Sequence, residues 1–285
     1  MTSTLSNATV VEIEHALLCL AIPRQVSPSA MAPKSKKASK AQDAAHPTKV
    51  ALQPLPTPEW PPLNPLVPTT SLFLEPLVPS QIILLRNLFT SVLCARYTSF
   101  LSSLPLSTTP LTKSRDLALR INDRYQIDDP LFASRLWSQT ALKDLVMGYE
   151  EQVIWGDGRG KDAIAPEILG LNPNIRVYRY RESQFFDKHY DDSNNLSFKS
   201  EDGRTLKAKT TWTLLIYLSV CEGGETVFYP ERQSGSKLDP EPVSVTPEVG
   251  LALLHRHGDM CMLHEGRKVT GGEKWVLRSD LVVGR

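Results

Sequence analysis

His189-Tyr190-Asp191 sets an imidazole and a carboxylate two residues apart, and on a strand two such residues project from the same face. A third donor, His264 in His264-Glu265-Gly266-Arg267, follows about 75 residues later. Two histidines and one carboxylate on one face of an octahedron leave three positions open, the donor set that non-haem Fe(II) oxygenases use to accommodate a chelating cosubstrate and O2. A His-x-Asp pair is common by itself, so its weight comes from its company. Ten residues beyond His264 stands Lys274, the first residue of the alternating run Lys274-Trp275-Val276-Leu277-Arg278. On a strand Lys274, Val276 and Arg278 share one face, while Trp275 and Leu277 point to the other, where a helix can cover them. A lysine aimed inward without an acid partner is costly, so an anionic ligand beside the ion is its natural companion. A nonoxidative metal-dependent hydrolase could use the same three donors, but it would not require that lysine.

These residues need strands to position them, and the sequence supplies strands from Ile175 onward. Ile175 to Tyr180 alternates, Phe185 to Tyr190 is aromatic-rich, and Thr211 to Leu218 is a continuous β-prone run. Glu225 to Tyr229, Gly250 to His255, Met260 to Leu263 and Lys274 to Val283 continue the series, with Gly223-Gly224, Gly235, Gly258 and Gly271-Gly272 as punctuation. Short strands with glycine turns predict a sandwich or barrel, mainly β, with helices in support. One helix is predicted from Ser80 through Ile83, Leu84, Leu88, Val92 and Ala95, and another from Asp128-Asp129-Pro130 to about Gly148. Between them, Arg120, Asn122 and Arg124 alternate with Leu119, Ile121 and Asp123. An extended chain there would place two arginines and an amide on one face, as substrate contacts or as a solvated edge.

The chain divides by composition. Of 22 prolines, 15 precede residue 113, whereas all 15 glycines fall at Gly148 or later. Residues 1–78, rich in proline and lysine, read as a disordered tail, and 79–285 as the folded domain, with its core motifs at 175–283. The cluster Lys34, Lys36, Lys37, Lys40 has the composition of a nuclear import signal and equally of an ordinary basic tail. Met31 reads as an alternative start. The apolar run from Ala16 to Ile22 is preceded by Glu12 and Glu14 and is too short for a span, so neither a signal peptide nor a transmembrane segment is expected. With 32 basic against 31 acidic residues, nothing global favours nucleic acid or membrane as a partner. Four scattered cysteines, without a CxxC pair, predict a reducing, intracellular setting, cytoplasmic or nuclear.

Several residues near the donors carry simpler expectations. His255 and His257 precede His264 on another strand and loop and are not expected to be ligands. Arg278 shares the face of Lys274 and has Asp280 as a close acidic partner. Cys221, Cys261 and Glu265 read as structural. The polar stretch from Asp192 to Lys209 is a candidate lid.

Arg176-Val177-Tyr178-Arg179-Tyr180, Gln184 to Asp191, Leu215-Ile216-Tyr217-Leu218-Ser219, Gly223 to Phe228, and His264-Glu265-Gly266 leading to Gly272-Glu273-Lys274-Trp275 together resemble the prolyl 4-hydroxylase-like branch of the 2-oxoglutarate and Fe(II)-dependent dioxygenases. The resemblance extends from about Arg115 to Val283. It implies a double-stranded β-helix, or jelly roll. It also implies His189, Asp191 and His264 as iron ligands, Lys274 as the partner of the distal carboxylate of 2-oxoglutarate, and Tyr180 and Tyr217 as cosubstrate contacts. The implied chemistry is hydroxylation of a C–H bond with O2, 2-oxoglutarate being decarboxylated to succinate and CO2 and ascorbate keeping the iron reduced. The substrate, a protein, a peptide or a small molecule, is left open; peptidyl proline rests on analogy alone.

Overall fold

The computed structural model describes residues 56–109, 118–149, 166–200, 202–232 and 238–285. In chain order the N-terminal half holds β1 (Glu75–Val78), β2 (Ile82–Leu85), α1 (Ser91–Ser102), β3 (Ser107–Thr108), β4 (Arg120–Ile121), β5 (Asp123–Asp128), α2 (Pro130–Gln139) and α3 (Leu142–Gly148). There follow β6 (Ile168–Leu171), β7 (Asn174–Tyr180), β8 (Phe185–His189), β9 (Asn195–Lys199), β10 (Thr205–Tyr217) and β11 (Cys221–Gly223). The chain closes with β12 (Thr226–Tyr229), β13 (Val243–Val245), β14 (Ala252–Arg256), β15 (Leu263–Gly266), β16 (Val269–Gly272) and β17 (Lys274–Gly284).

A large antiparallel sheet runs β1-β2-β14-β10-β17-β7-β5-β3, with β6 beside β17 and β9 beside β10. A smaller sheet runs β13-β12-β15-β8-β4, and β11 pairs with β16. The result is a mixed β/α fold of three layers, helices on one face of the large sheet and the small sheet on the other. Alternation along β17 defines the layers. Trp275 and Leu277 join Leu93, Tyr97, Phe132 and Leu136 in the core under the helices, while Val276 joins Tyr178, Tyr217 and Phe228 between the sheets. The expected division of the strand from Lys274 to Arg278 is therefore observed. No helix among the described residues is long and apolar enough to cross a membrane.

Two N-terminal expectations fail for physical reasons. No helix starts at Ser80; Ile82–Leu85 is β2, paired with β14 from Leu85↔Ala252 to Ile82↔His255. Ile83 and Leu85 face the helical core and Ile82 and Leu84 face the small sheet, so burial on both sides makes the run continuously apolar. The helix begins at Ser91, where the Thr90 hydroxyl accepts the Leu93 amide at 3.2 Å. The boundary at 78 also lies too far along the chain. Trp60, Leu63, Leu72 and Leu74 are buried in the helical core. The Trp60 ring stacks on Phe132 at 4.0 Å and its N–H donates to Asp129 at 2.8 Å. The prolines there prevent regular structure without preventing order. Residues 1–55, including the Ala16–Ile22 run and the lysine cluster, lie outside the described residues.

Asp129 caps α2 as expected, accepting from the Phe132 amide at 2.8 Å, but the helix does not continue to Gly148. Thr140 turns its hydroxyl back to the Leu136 carbonyl at 2.7 Å, and α3 starts afresh. The candidate lid from Asp192 to Lys209 is largely the β9–β10 hairpin, paired from Thr205↔Lys199 to Lys209↔Asn195. At the other end of β10, Gly250 sits at φ +81°, and a Cβ there would come within 1.9 Å of the Phe89 carbonyl oxygen, so only glycine fits.

Candidate active site

The pairing of β8 with β15 sets His189 directly opposite His264, and Asp191 follows just past the end of β8. One donor atom from each of His189, Asp191 and His264 lies within 4.8 Å of the others. The strand expected at Met260–Leu263 starts instead at Leu263, after a 3-10 turn over Gly258–Met260, and this shift places His264 inside β15. His189 Nδ1 lies 2.8 Å from the Asp187 carbonyl and His264 Nδ1 2.9 Å from the Met262 carbonyl. With Nδ1–H donating to these carbonyls, each Nε2 is left as a lone-pair donor toward the centre, the second-sphere arrangement that metal-binding imidazoles use. Burial, with His264 adding to it, lowers the His189 pKa to about 4, and burial lowers that of His264. Both rings are therefore neutral near pH 7. Burial alone would raise the pKa of Asp191, but Arg278 and the surrounding imidazoles hold it well below the usual carboxylate range. Two neutral imidazoles and an ionised carboxylate fit a divalent transition metal.

Asp191 is held from three directions. Thr213 donates to it at 2.8 Å, Arg278 approaches at 3.0 Å, and its own amide donates to Cys261 Sγ at 3.2 Å. Arg278 also reaches Asp280 at 3.5 Å, so its expected partner is one of two. His257, not expected to be a ligand, is bound through both ring nitrogens, to Thr213 at 3.0 Å and Thr210 at 2.9 Å. His255, likewise not expected to be a ligand, contributes no donor atom to the group of three. It lines the same pocket, with Nε2 3.8 Å from Asp191. Its phase on β14, two residues after the inward Leu253, was the signal that could have placed it there. Burial raises the pKa of Cys221 and pushes that of Cys261 up to about 11, so both remain thiols.

Lys274, which is 5% exposed, lines the same pocket. Its ammonium donates to the Gly224 carbonyl at 2.6 Å, lies 3.5 Å from the Thr226 hydroxyl, and stands over the Tyr180 and Tyr217 rings at 5.6 and 5.3 Å. Among the described residues no carboxylate pairs with it. Burial lowers its pKa to about 8, with Cys221 and Glu225 acting weakly against that shift. Gly224 adopts φ +70°, and a Cβ on it would meet Cys221 Sγ at 2.8 Å, so the acceptor of the lysine depends on glycine. Tyr180 lines the pocket, whereas Tyr217 is fully buried behind it with its hydroxyl 2.7 Å from Thr226. Thr226, which sequence reasoning missed, is the residue through which Tyr217 touches the site.

Arg120, Asn122 and Arg124 do not share a face. The chain leaves the small sheet after Ile121 and enters the large one at Asp123, so Asn122 is fully buried, bound to Thr109. Arg120 and Arg124 come together nonetheless, each 5.9 Å from the centre of the Tyr178 ring.

Residues 175–279 match the model of the 2OG-Fe(II) oxygenase superfamily. Prolyl 4-hydroxylase 13 of Arabidopsis thaliana is 35% identical over 115 residues, which cover 36% of this chain and 40% of the relative, so the chain spans about two fifths of the relative's length. Among solved structures, a Pseudomonas putida prolyl-4-hydroxylase is similar at 14% identity and a TM-score of 0.42, over 73% of this chain and 94% of that one. A Burkholderia pseudomallei oxidoreductase of the 2OG-Fe(II) oxygenase family is similar at 16% identity and a TM-score of 0.43, over 71% and 84%. Over residues 175–279, its β core, the chain is similar to the 2OG-Fe(II) oxygenase superfamily. The sequence similarity to the Arabidopsis thaliana prolyl 4-hydroxylase is confined to those 115 residues.

Proposed function

We propose that this chain is a 2-oxoglutarate- and Fe(II)-dependent dioxygenase that hydroxylates a C–H bond of its substrate in the manner of a prolyl 4-hydroxylase, with 2-oxoglutarate decarboxylated to succinate and CO2. On this reading the two facing sheets are the halves of a double-stranded β-helix, and His189, Asp191 and His264 hold the iron. Bound there, Fe(II) supplies the open positions and the oxidising chemistry with O2 that C–H hydroxylation needs. The chain's own residues supply the rest. Lys274 takes the distal carboxylate of 2-oxoglutarate, Thr226 and Tyr180 line its path, and Tyr217 orients the Thr226 hydroxyl. Thr213 and Arg278 fix the Asp191 carboxylate, and the carbonyls of Asp187 and Met262 fix the imidazole rotamers. Ascorbate serves as the reductant that maintains Fe(II). Peptidyl proline is the favoured substrate, and a small molecule carrying a similar C–H bond is the alternative.

The observation that carries this reading is the buried Lys274, without a carboxylate partner among the described residues, in the pocket that holds the two-histidine, one-carboxylate cluster. A nonoxidative metal-dependent hydrolase would not require such a cation. The test is anaerobic addition of Fe(II) and 2-oxoglutarate to the full chain. A weak visible charge-transfer band is expected, lost in Asp191→Ala; absence of the band in the unaltered protein would refute the assignment.

A further inference from the structure

The crossing of the chain from β4 to β5 brings two cations against aromatic rings that line the pocket. Arg120 pairs in register with Phe186 on β8, and Arg124 with Tyr178 on β7. The Arg120 guanidinium lies 4.9 Å from the Phe186 ring centre, and both guanidinium groups flank Tyr178. Phe186 and Tyr178 line the pocket together with His189 and Asp191, so these arginines stand one side chain away from it.

Their neighbours are already neutralised. Arg176 pairs with Asp280, Arg179 with Asp123, Arg181 with Asp123 and Glu273, and Arg278 with Asp191 and Asp280. Among the described residues Arg120 and Arg124 have no carboxylate; the side-chain partner of Arg124 is the neutral amide of Gln126. Burial lowers the pKa of Arg124, and repulsion from Arg120, Arg176 and Arg278 adds to this while Tyr178 opposes it. Two half-buried like charges held together in this way are a standing electrostatic cost that an anion would relieve. Stacking on aromatic faces also orients the guanidinium planes and leaves in-plane N–H donors for bidentate binding.

We propose that Arg120 and Arg124 form a carboxylate-binding subsite beside the pocket, selecting a substrate that carries an acidic group near the C–H bond to be hydroxylated. The proposal rests on the dioxygenase reading above for the location of the reacting bond. Carboxylate chemistry has two sources here, an acidic side chain of the substrate or 2-oxoglutarate itself, and the geometry favours the first because the buried Lys274 already offers 2-oxoglutarate a cation inside the pocket.

The test measures binding rather than turnover. Fluorescein-labelled peptides with the repeats Glu-Pro, Gln-Pro and Lys-Pro are titrated with the full chain, Mn(II) and 2-oxoglutarate, with and without Arg120→Gln or Arg124→Gln. The Glu-Pro peptide should bind at least tenfold more tightly than the others, and either substitution should erase that preference. The thermal midpoint should hold or rise, because a repelling charge has been removed. Equal binding of Glu-Pro and Lys-Pro peptides, or undiminished Glu-Pro binding in both variants, overturns the proposal. A loss of 2-oxoglutarate protection against heating in the same variants would overturn it too, assigning the arginines to the cosubstrate. Peptide preference without any charge-transfer band would separate the subsite from the dioxygenase reading.

Discussion

Lys274 places a charge where water cannot reach it, and the consequence is measurable. Its pKa falls from 10.5 to about 8, a shift worth roughly 3 kcal/mol against the folded, unliganded protein when the amine is charged in both states. The sign follows from proton counting. Below pH 8 folded and unfolded chains both hold the proton and the full cost is present; between pH 8 and 10.5 the unfolded chain holds more protons, so stability rises with pH. Lys274→Met removes the charge but deprives the Gly224 carbonyl of its 2.6 Å donor, a loss of about 1 kcal/mol. The variant should therefore be more stable than the wild type by about 2 kcal/mol at pH 7, with the gap narrowing by pH 9.5. Urea midpoints at the two pH values measure this. With Mn(II) present, 2-oxoglutarate at about 100 times its Kd should stabilise the wild type by about 2.7 kcal/mol and leave the variant unmoved. A variant no more stable than wild type at pH 7, or one protected equally by 2-oxoglutarate, would refute the reasoning.

His189→Ala and Asp191→Ala should each abolish 2-oxoglutarate turnover and weaken Fe(II) binding while leaving the far-UV circular dichroism intact; turnover in either variant removes that residue from the ligand set. Trp60→Ala should cost about 3–5 kcal/mol in urea unfolding. Trp60→Phe, which keeps a ring against Phe132 but loses the bond to Asp129 and part of the indole's volume, should cost less than Trp60→Ala and at least about 1 kcal/mol. Deleting residues 1–78 should accordingly yield an aggregating product, and a soluble, cooperative unfolder would contradict the burial seen here. Gly250→Ala should lower stability by roughly 3 kcal/mol or more, because strain at positive φ adds to the collision with Phe89, and an unchanged melting midpoint would argue against that backbone.

The candidate site was legible in the sequence because its elements alternate. His189 and Asp191, and likewise Lys274, Val276 and Arg278, declare their face by a period of two, and the structure keeps those faces. Residues buried on both sides lose that signature. Ile82 to Leu85 is apolar throughout because the helices cover one face and the small sheet the other, and such a run has no period to separate strand from helix. Long-range partners were equally invisible. Nothing local shows that Trp60 would find Phe132, that Tyr217 would act through Thr226, or that the chain would change sheets at Asn122 and so pair Arg120 with Arg124 but not with the amide between them. Proline density was read as disorder when it marks only the absence of helix and ladder.

The proline-rich segment also has a consequence for how the chain is made. Its carbonyls accept from side chains of α1: Pro61 from Tyr97 and Asn64 from Arg96, both at 2.9 Å, while the Pro65 carbonyl takes the hydroxyl of the capping Thr90 at 2.9 Å. Trp60 waits longer, because its partner Asp129 lies 69 residues further on. On a ribosome this strap emerges well before anything it can dock against. Apolar residues such as Trp60 and Leu63 would be hazardous in that interval if the backbone could form ladders. Prolines at 58, 61, 62, 65 and 68 withhold the amide donors that a passing strand would need. The same residues that keep the segment out of helix and sheet thus keep it from pairing with other nascent chains until α1 and α2 arrive to claim its carbonyls and its indole.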